Sequence, residues 1–208
     1  MTQVAGSPSR RRKRTPDEAR REGLRAARTL LLADGPSAVT LAGVGKAIGM
    51  SHTNVIHHFG SAAGLQTALM GSMIRDLSDA LAAAVTRLHD DAGAPAELVD
   101  RVFDAFGEGG AGQLAAWLAL AREFDHLQPV RHAVGDLVDA VRARLPDRPD
   151  NDLRIRTLVL LIALCAFGDA VIGPHLRDML DLDDAASRQL VARLLPLLIA
   201  EPDATPLS

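Results

Sequence analysis

The apolar residues of this chain recur at helical spacing, and each stripe is bounded by residues that start or stop helices. The first stripe is Leu24, Ala27, Leu30 and Leu31. Its helix should open at Thr15-Pro16-Asp17-Glu18, with Thr as the cap, Pro at the first helical position and Glu three residues after the cap. It should run to Ala33 and stop at Asp34-Gly35-Pro36, with Arg20, Arg21, Arg25 and Arg28 on its other faces.

The next stretch, Thr40 to Phe59, reads as two short helices joined at Gly49-Met50. Leu41, Val44, Ile48, Met50 and Val55 form the seam between them, and Gly45 is small where they would touch. Gly49 can take the left-handed backbone that ends the first of the two. Thr40 and Ser51 can cap the first and the second. This is the pattern of a helix-turn-helix, whose second helix enters the DNA major groove, although αα-hairpins without a ligand share it. His52, Thr53, Asn54 and His57 are left facing outward.

From Ser61 one long helix is expected to about His89, with Leu65, Leu69, Met73, Leu77, Leu81, Val85 and Leu88 as its stripe, ended by Asp90-Asp91-Ala92-Gly93. Pro95 opens a helix with Leu98, Val102, Phe103 and Phe106, ended by the glycines of Gly107 to Gly112. Helices over Leu114–Leu127 and Pro129–Leu145 should follow, then a loop over Pro146–Asn151. Leu158–Ile172 is the most apolar run. It is shorter than the ~20 residues that cross a bilayer and Asp169 interrupts it, so no membrane span is expected. A last helix, Asp184–Ala200, carries more apolar surface than one core needs, and Pro196 should kink it or end its regular part.

Composition agrees with an all-α fold. Aromatic residues make up 3% and Tyr is absent, whereas strands draw on aromatic and β-branched types. A single cysteine, Cys165, excludes an internal disulfide framework and a Cys-rich metal site. The adjacent His57 and His58 would point about 100° apart on a helix, so no metal site is evident and no cofactor is called for. The basic N-terminus leads into charged sequence rather than an apolar segment, which suggests a cytoplasmic protein.

The net charge of −3 conceals a split. Residues 1–60 hold ten Lys/Arg against four Asp/Glu, and residues 61–208 hold thirteen against twenty-two. The basic end coincides with the helix-turn-helix, as an end that seeks a polyanion should. Residues 1–14 have almost no apolar surface to bury and are expected to be disordered when free. Within them Arg10, Arg11, Arg12, Lys13 and Arg14 would neutralise phosphates and reach the adjacent minor groove; a plain solvated tail is the alternative.

The combination becomes specific in order: Ala33-Asp34-Gly35, Val39-Thr40-Leu41, Lys46-Ala47-Ile48-Gly49-Met50-Ser51, then His57-His58-Phe59-Gly60-Ser61 and Leu65. Over roughly residues 17–70 this resembles the N-terminal domain of the TetR family of transcriptional regulators. Two positions depart from it: Ile56 stands where the family usually has Tyr, and Ala62 where it usually has Lys. Both family residues commonly contact phosphates, so the Arg10–Arg14 arm is a plausible substitute for two missing contacts.

The resemblance implies a three-helix DNA-binding domain over residues 15–60, a larger helical domain over 61–200 for effector binding and dimerisation, and a flexible tail over 201–208. It implies a homodimer through the last two long helices, reading a palindromic operator in double-stranded DNA. It also implies repression released by a small apolar effector. For base edges the candidates are His52, Thr53 and Asn54, since Asn can pair with adenine, Thr can meet a thymine methyl and His can donate to guanine. Thr40, Ser51 and His57 are candidates for phosphates. For the effector pocket the candidate walls are Phe103, Phe106, Trp117, Phe124, Cys165 and Phe167, with His126, His132, His175 or Asp169 as polar anchors; aromatic residues at helical spacing are more often plain core, and a lone His is more often a surface or capping residue. Two other functions remain: a DNA-binding regulator without a small-molecule ligand, whose second domain meets a protein partner, and, remotely, a helical enzyme using Cys165. Against the enzyme, Cys165 lies in the most apolar run, where a thiol is usually inert.

Overall fold

The computed structural model describes residues 15–87, 90–91, 93–121, 128–143 and 151–200. These form nine α-helices and one 3-10 turn, with no strand among the described residues. The first is α1, Pro16–Asp34. Its start is the expected reciprocal cap: the Thr15 hydroxyl accepts from the Glu18 N–H at 3.2 Å while a Glu18 carboxylate oxygen accepts from the Thr15 N–H at 2.8 Å. α2 (Leu41–Ile48) and α3 (His52–Phe59) follow. Between them Gly49 takes φ 64°, ψ 38°, a left-handed conformation that glycine adopts without a Cβ penalty.

α4 is Ala62–Thr86, capped by Ser61, whose hydroxyl accepts from the Gly64 N–H at 3.0 Å. It ends at Arg87, before the expected Leu88 and His89, which lie outside the described residues. α5 is Ala94–Phe106, α6 Ala111–Ala121 and α7 Gln128–Arg142. The expected continuation of α6 to Leu127 falls outside the described residues, as do most of the loop expected over Pro146–Asn151 and the segments 1–14 and 201–208.

Two expectations are corrected at the C-terminal end. The apolar run Leu158–Ile172 is the middle of a longer helix, α8, Asn151–Met179. Polar residues extend it: Asp152 pairs with Arg156 at 2.7 Å and with Arg142 of α7 at 3.1 Å. At 29 residues, with a mean hydropathy of 2.2 over its most apolar window, α8 has the length and composition to cross a membrane, so shortness does not exclude a span. Its contacts place it instead in the bundle, where it packs on α5, α6, α7 and α9 and buries Ile155 and Ala166. The last helix, α9, is Ala186–Ala200, and it continues through Pro196 rather than ending there.

Burial divides the interior into clusters. The largest joins Ala27 and Leu31 of α1, Val44 of α2, Val55 and Phe59 of α3, several residues of α4 and Leu114 and Leu118 of α6. A second holds Val99 and Phe103 of α5, Ala166 of α8, and Val191 and Leu195 of α9. A third sits between Leu81 and Val85 of α4 and Leu137 of α7. Phe106 packs against both of the first two. α4 therefore runs from the helix-turn-helix core into the bundle as one continuous element.

Candidate nucleic-acid interface

α3 is held out by three local devices. Val55 and Phe59 point inward and are buried, so the opposite face must be exposed. Gly45 allows a close crossing: a β-carbon there would stand 2.8 Å from the Met50 carbonyl oxygen and 3.4 Å from Val55 Cγ2. At the far end, Arg20 of α1 donates from Nη1 to the His58 carbonyl and lies 5.0 Å over the Phe59 ring. That pairing satisfies an otherwise free carbonyl of the last turn of α3 and fixes its C-terminus to α1.

What remains facing solvent is His52, Thr53, Asn54, Ile56 and His57, with Thr40, Lys46 and Ser51 exposed on the flanking turns and α2. The six candidates Thr40, Ser51, His52, Thr53, Asn54 and His57 are thus all exposed around one short helix and its approaches. The Thr40 and Ser51 hydroxyls accept from the Gly43 and Asn54 N–H groups at 3.0 and 3.3 Å. A hydroxyl that accepts in a cap keeps its own proton, so each can still donate to a phosphate oxygen. Sequence reasoning did not single out Lys46 or Arg20 for this surface. Lys46 adds a cation beside the helix-turn-helix, and Arg20 positions α3. Arg10, Arg11, Arg12, Lys13 and Arg14 lie outside the described residues.

A polar-faced helix held out by a glycine-jointed partner, on an all-helical bundle, defines the class of helix-turn-helix regulators. Comparison with known proteins agrees. Residues 24–69 match the family model described as bacterial regulatory proteins, tetR family. Over 180 residues the chain is 30% identical to an HTH-type transcriptional repressor of Mycobacterium tuberculosis, covering 83% of this chain and 86% of that one, and equally to an HTH-type transcriptional regulator of Mycobacterium bovis. Among solved structures, the multidrug binding protein EbrR complexed with ethidium superposes with a TM-score of 0.60 at 18% identity, covering 85% of this chain and 98% of that one. The repressor FadR of Thermus thermophilus, in complex with lauroyl-CoA, gives 0.55 at 16% identity, covering 91% and 99%. This chain belongs to the TetR family of bacterial transcriptional regulators. It is a DNA-binding regulator of transcription, and its all-α fold is that of the family.

The bundle also holds an apolar cavity of about 180 Å³ between α4, α5, α7, α8 and α9. Every described residue lining it is Ala, Val, Leu, Ile or Phe. Of the candidate pocket residues, Phe106 lies in its wall. Phe103 is buried in the second cluster instead, with Cys165 packed against that cluster. Trp117 is exposed on α6, Phe167 is half-buried on α8, and Phe124 lies outside the described residues. Among the candidate polar anchors His132 and His175 are exposed, and His126 lies outside the described residues. Asp169 pairs with Arg177 along α8, over Gly173. The actual walls, such as Leu77, Leu81, Val102, Leu137 and Leu158, read in the sequence as plain helical stripes. Helical periodicity shows that such residues face inward and leaves open whether they meet one another or enclose a space.

Proposed function

We propose that the chain is a homodimeric repressor that reads a palindromic operator through α3 and leaves it when a small apolar effector fills the bundle. The observation that carries the reading is the exposed polar face of α3, where His52, Thr53 and Asn54 stand free above a buried Val55 and Phe59. Asn54 would pair with adenine, Thr53 would meet a thymine methyl, and His52 would donate to guanine, while Thr40, Ser51 and His57 would take phosphates. Residues 15–60 would then be the DNA-reading part and residues 61–200 the effector and dimer part. The protein would work in the cytoplasm, without a membrane.

Support for the dimer comes from α8 and α9. Only 11% of the most apolar window of α8 is buried within one chain. Leu160, Leu164 and Ile172 of α8 and Leu190, Leu194 and Leu197 of α9 are all exposed. Single chains rarely leave so continuous an apolar face in water, and a second copy would cover it. Support for an effector comes from the apolar cavity and from two relatives of the same fold whose structures hold ethidium or lauroyl-CoA. A ligand dissociates such a complex only if it binds the DNA-free state better.

The test is selection of bound sequences from a random duplex library, followed by light scattering of the complex. Recovery of two inverted half-sites about one helical turn apart, bound by two chains, is expected. Recovery of a single unpaired half-site bound by one chain would overturn the dimeric reading.

A further inference from the structure

Three cavities adjoin along α4. The first is the apolar chamber of about 180 Å³ already described. The second, about 240 Å³ between α4, α5 and α6, shares Ile74, Leu77 and Phe106 with the first, and each of its described lining residues is Met, Ile, Leu, Ala or Phe. The third, also about 240 Å³, shares Met73, Leu77 and Ala105 with the second and adds Arg28, Asp76, Arg101 and Asp104. Leu77 borders all three, and Phe106 stands between the two apolar chambers. Taken singly, each apolar chamber is smaller than the ~300–1,000 Å³ usual for a ligand site, and the two together lie inside that range.

We propose that this row of cavities is one elongated site for an unbranched aliphatic chain carrying a single polar end. This rests on the effector reading above and names the class of the effector. The polar end stays at the charged mouth. The tail passes Leu77 into the second chamber and, when long enough, passes Phe106 into the first. No described side chain of either chamber offers a hydrogen bond stronger than a methionine sulfur can accept, so a polar group carried inward would lose its water without replacement. A rigid polycyclic body would have to fit one chamber or displace Phe106, whereas a flexible chain can bend past it. The mouth also carries the Arg28–Asp76 bridge, 3.0 Å long, which joins α1 to α4. A head group seated there touches the joint between the helix-turn-helix and the bundle.

The experiment is calorimetric titration of the full-length protein with straight-chain alcohols from hexanol to tetradecanol, with release of bound duplex DNA followed in parallel by fluorescence anisotropy. Affinity is expected to rise about fourfold per methylene while the tail gains buried length. Ala163→Leu fills the far chamber and should weaken tetradecanol tenfold or more while leaving hexanol unchanged. Ala115→Leu fills the near chamber and should weaken both. Thermal melting of each variant establishes that it is folded. Equal effects of Ala163→Leu on the short and long alcohols would overturn the proposal, as would adamantanol binding as tightly as tetradecanol, or no binding of any alcohol. Alcohols that bind in the expected pattern without releasing DNA would uphold the site and overturn its role as the effector site.

Discussion

Gly45 of α2 and Met50, in the turn that follows, approach so closely that a β-carbon on Gly45 would stand 2.8 Å from the Met50 carbonyl oxygen. The same turn is closed by the Met50 N–H donating to the Gly45 carbonyl at 2.8 Å. Backbone atoms cannot yield as a flexible side chain can. Gly45→Ala should therefore cost about 1–3 kcal/mol of strain, more than the ~1 kcal/mol that alanine gains over glycine inside a helix. Urea unfolding should show net destabilisation, and DNA affinity should fall because α3 is re-aimed. A neutral or stabilising result would mean that the α2–α3 joint is looser than its geometry implies.

Leu164 of α8 and Leu194 of α9 are exposed within the single chain, at 58% and 43%. Replacing both by Asp places charge in the face that a second copy should cover, with little effect on one chain's own core. Light scattering at micromolar concentration should then report a monomer. Affinity for a palindromic duplex should fall roughly tenfold or more, since binding at one half-site no longer holds a second recognition helix beside the other. An unchanged dimer would move the interface elsewhere.

The basic arm, Arg10 to Arg14, should act chiefly through phosphates, beside its reach into the adjacent minor groove. Deleting residues 1–14 is expected to weaken binding to operator and random DNA alike. It should also reduce the slope of log K against log salt by about 0.9 for each phosphate that the arm would have neutralised. An unchanged slope would show that the arm neutralises none, leaving the positions of Ile56 and Ala62 uncompensated.

Local features of the fold were legible in the sequence because local chemistry decides them. The Thr15–Glu18 capping box, the left-handed Gly49 and the Ser51 and Ser61 caps each involve neighbours within a few residues. The length of α8 was not legible, since its ends are held by ion pairs, Asp152 with Arg142 and Arg156, and Asp169 with Arg177 over Gly173. Those residues carry no hydrophobic period. The exposed face of α3 followed from which of its residues are polar, except at Ile56, which is apolar and still faces solvent. The cavity did not follow from aromatic content: Phe106 reached its wall, whereas Phe103 joined a neighbouring cluster one turn away. Whether an inward residue fills or borders a space depends on five helices converging, and no single stripe encodes that.

Arg87, just past α4, bridges to Asp91 at 2.8 Å and to Glu97 of α5. Hydrogen bonds from Arg101 and then from Arg87 hold the Glu97 carboxyl below the usual carboxylate range. A carboxylate depressed in the folded state stabilises it above the unfolded value near ~4.3, and that contribution is lost as pH falls through the folded value. Melting temperature should thus decline on acidification below about pH 4, and Glu97→Gln should lessen the decline. Because the group is only half-buried and water reaches it, the effect should be small and should shrink further in high salt. A pH profile identical in the variant would show that the bridge adds nothing to stability.

The measurement that tests DNA reading by α3 most directly compares the wild-type protein with Asn54→Ala on the selected duplex and on a scrambled one. The wild type should prefer the selected duplex by about 10³-fold or more. Asn54→Ala should lose about 1–3 kcal/mol on the selected duplex, confined to one base position in each half-site, and almost nothing on the scrambled one. An equal loss on both, or no loss on either, would contradict the assignment of α3 as the element that reads the operator.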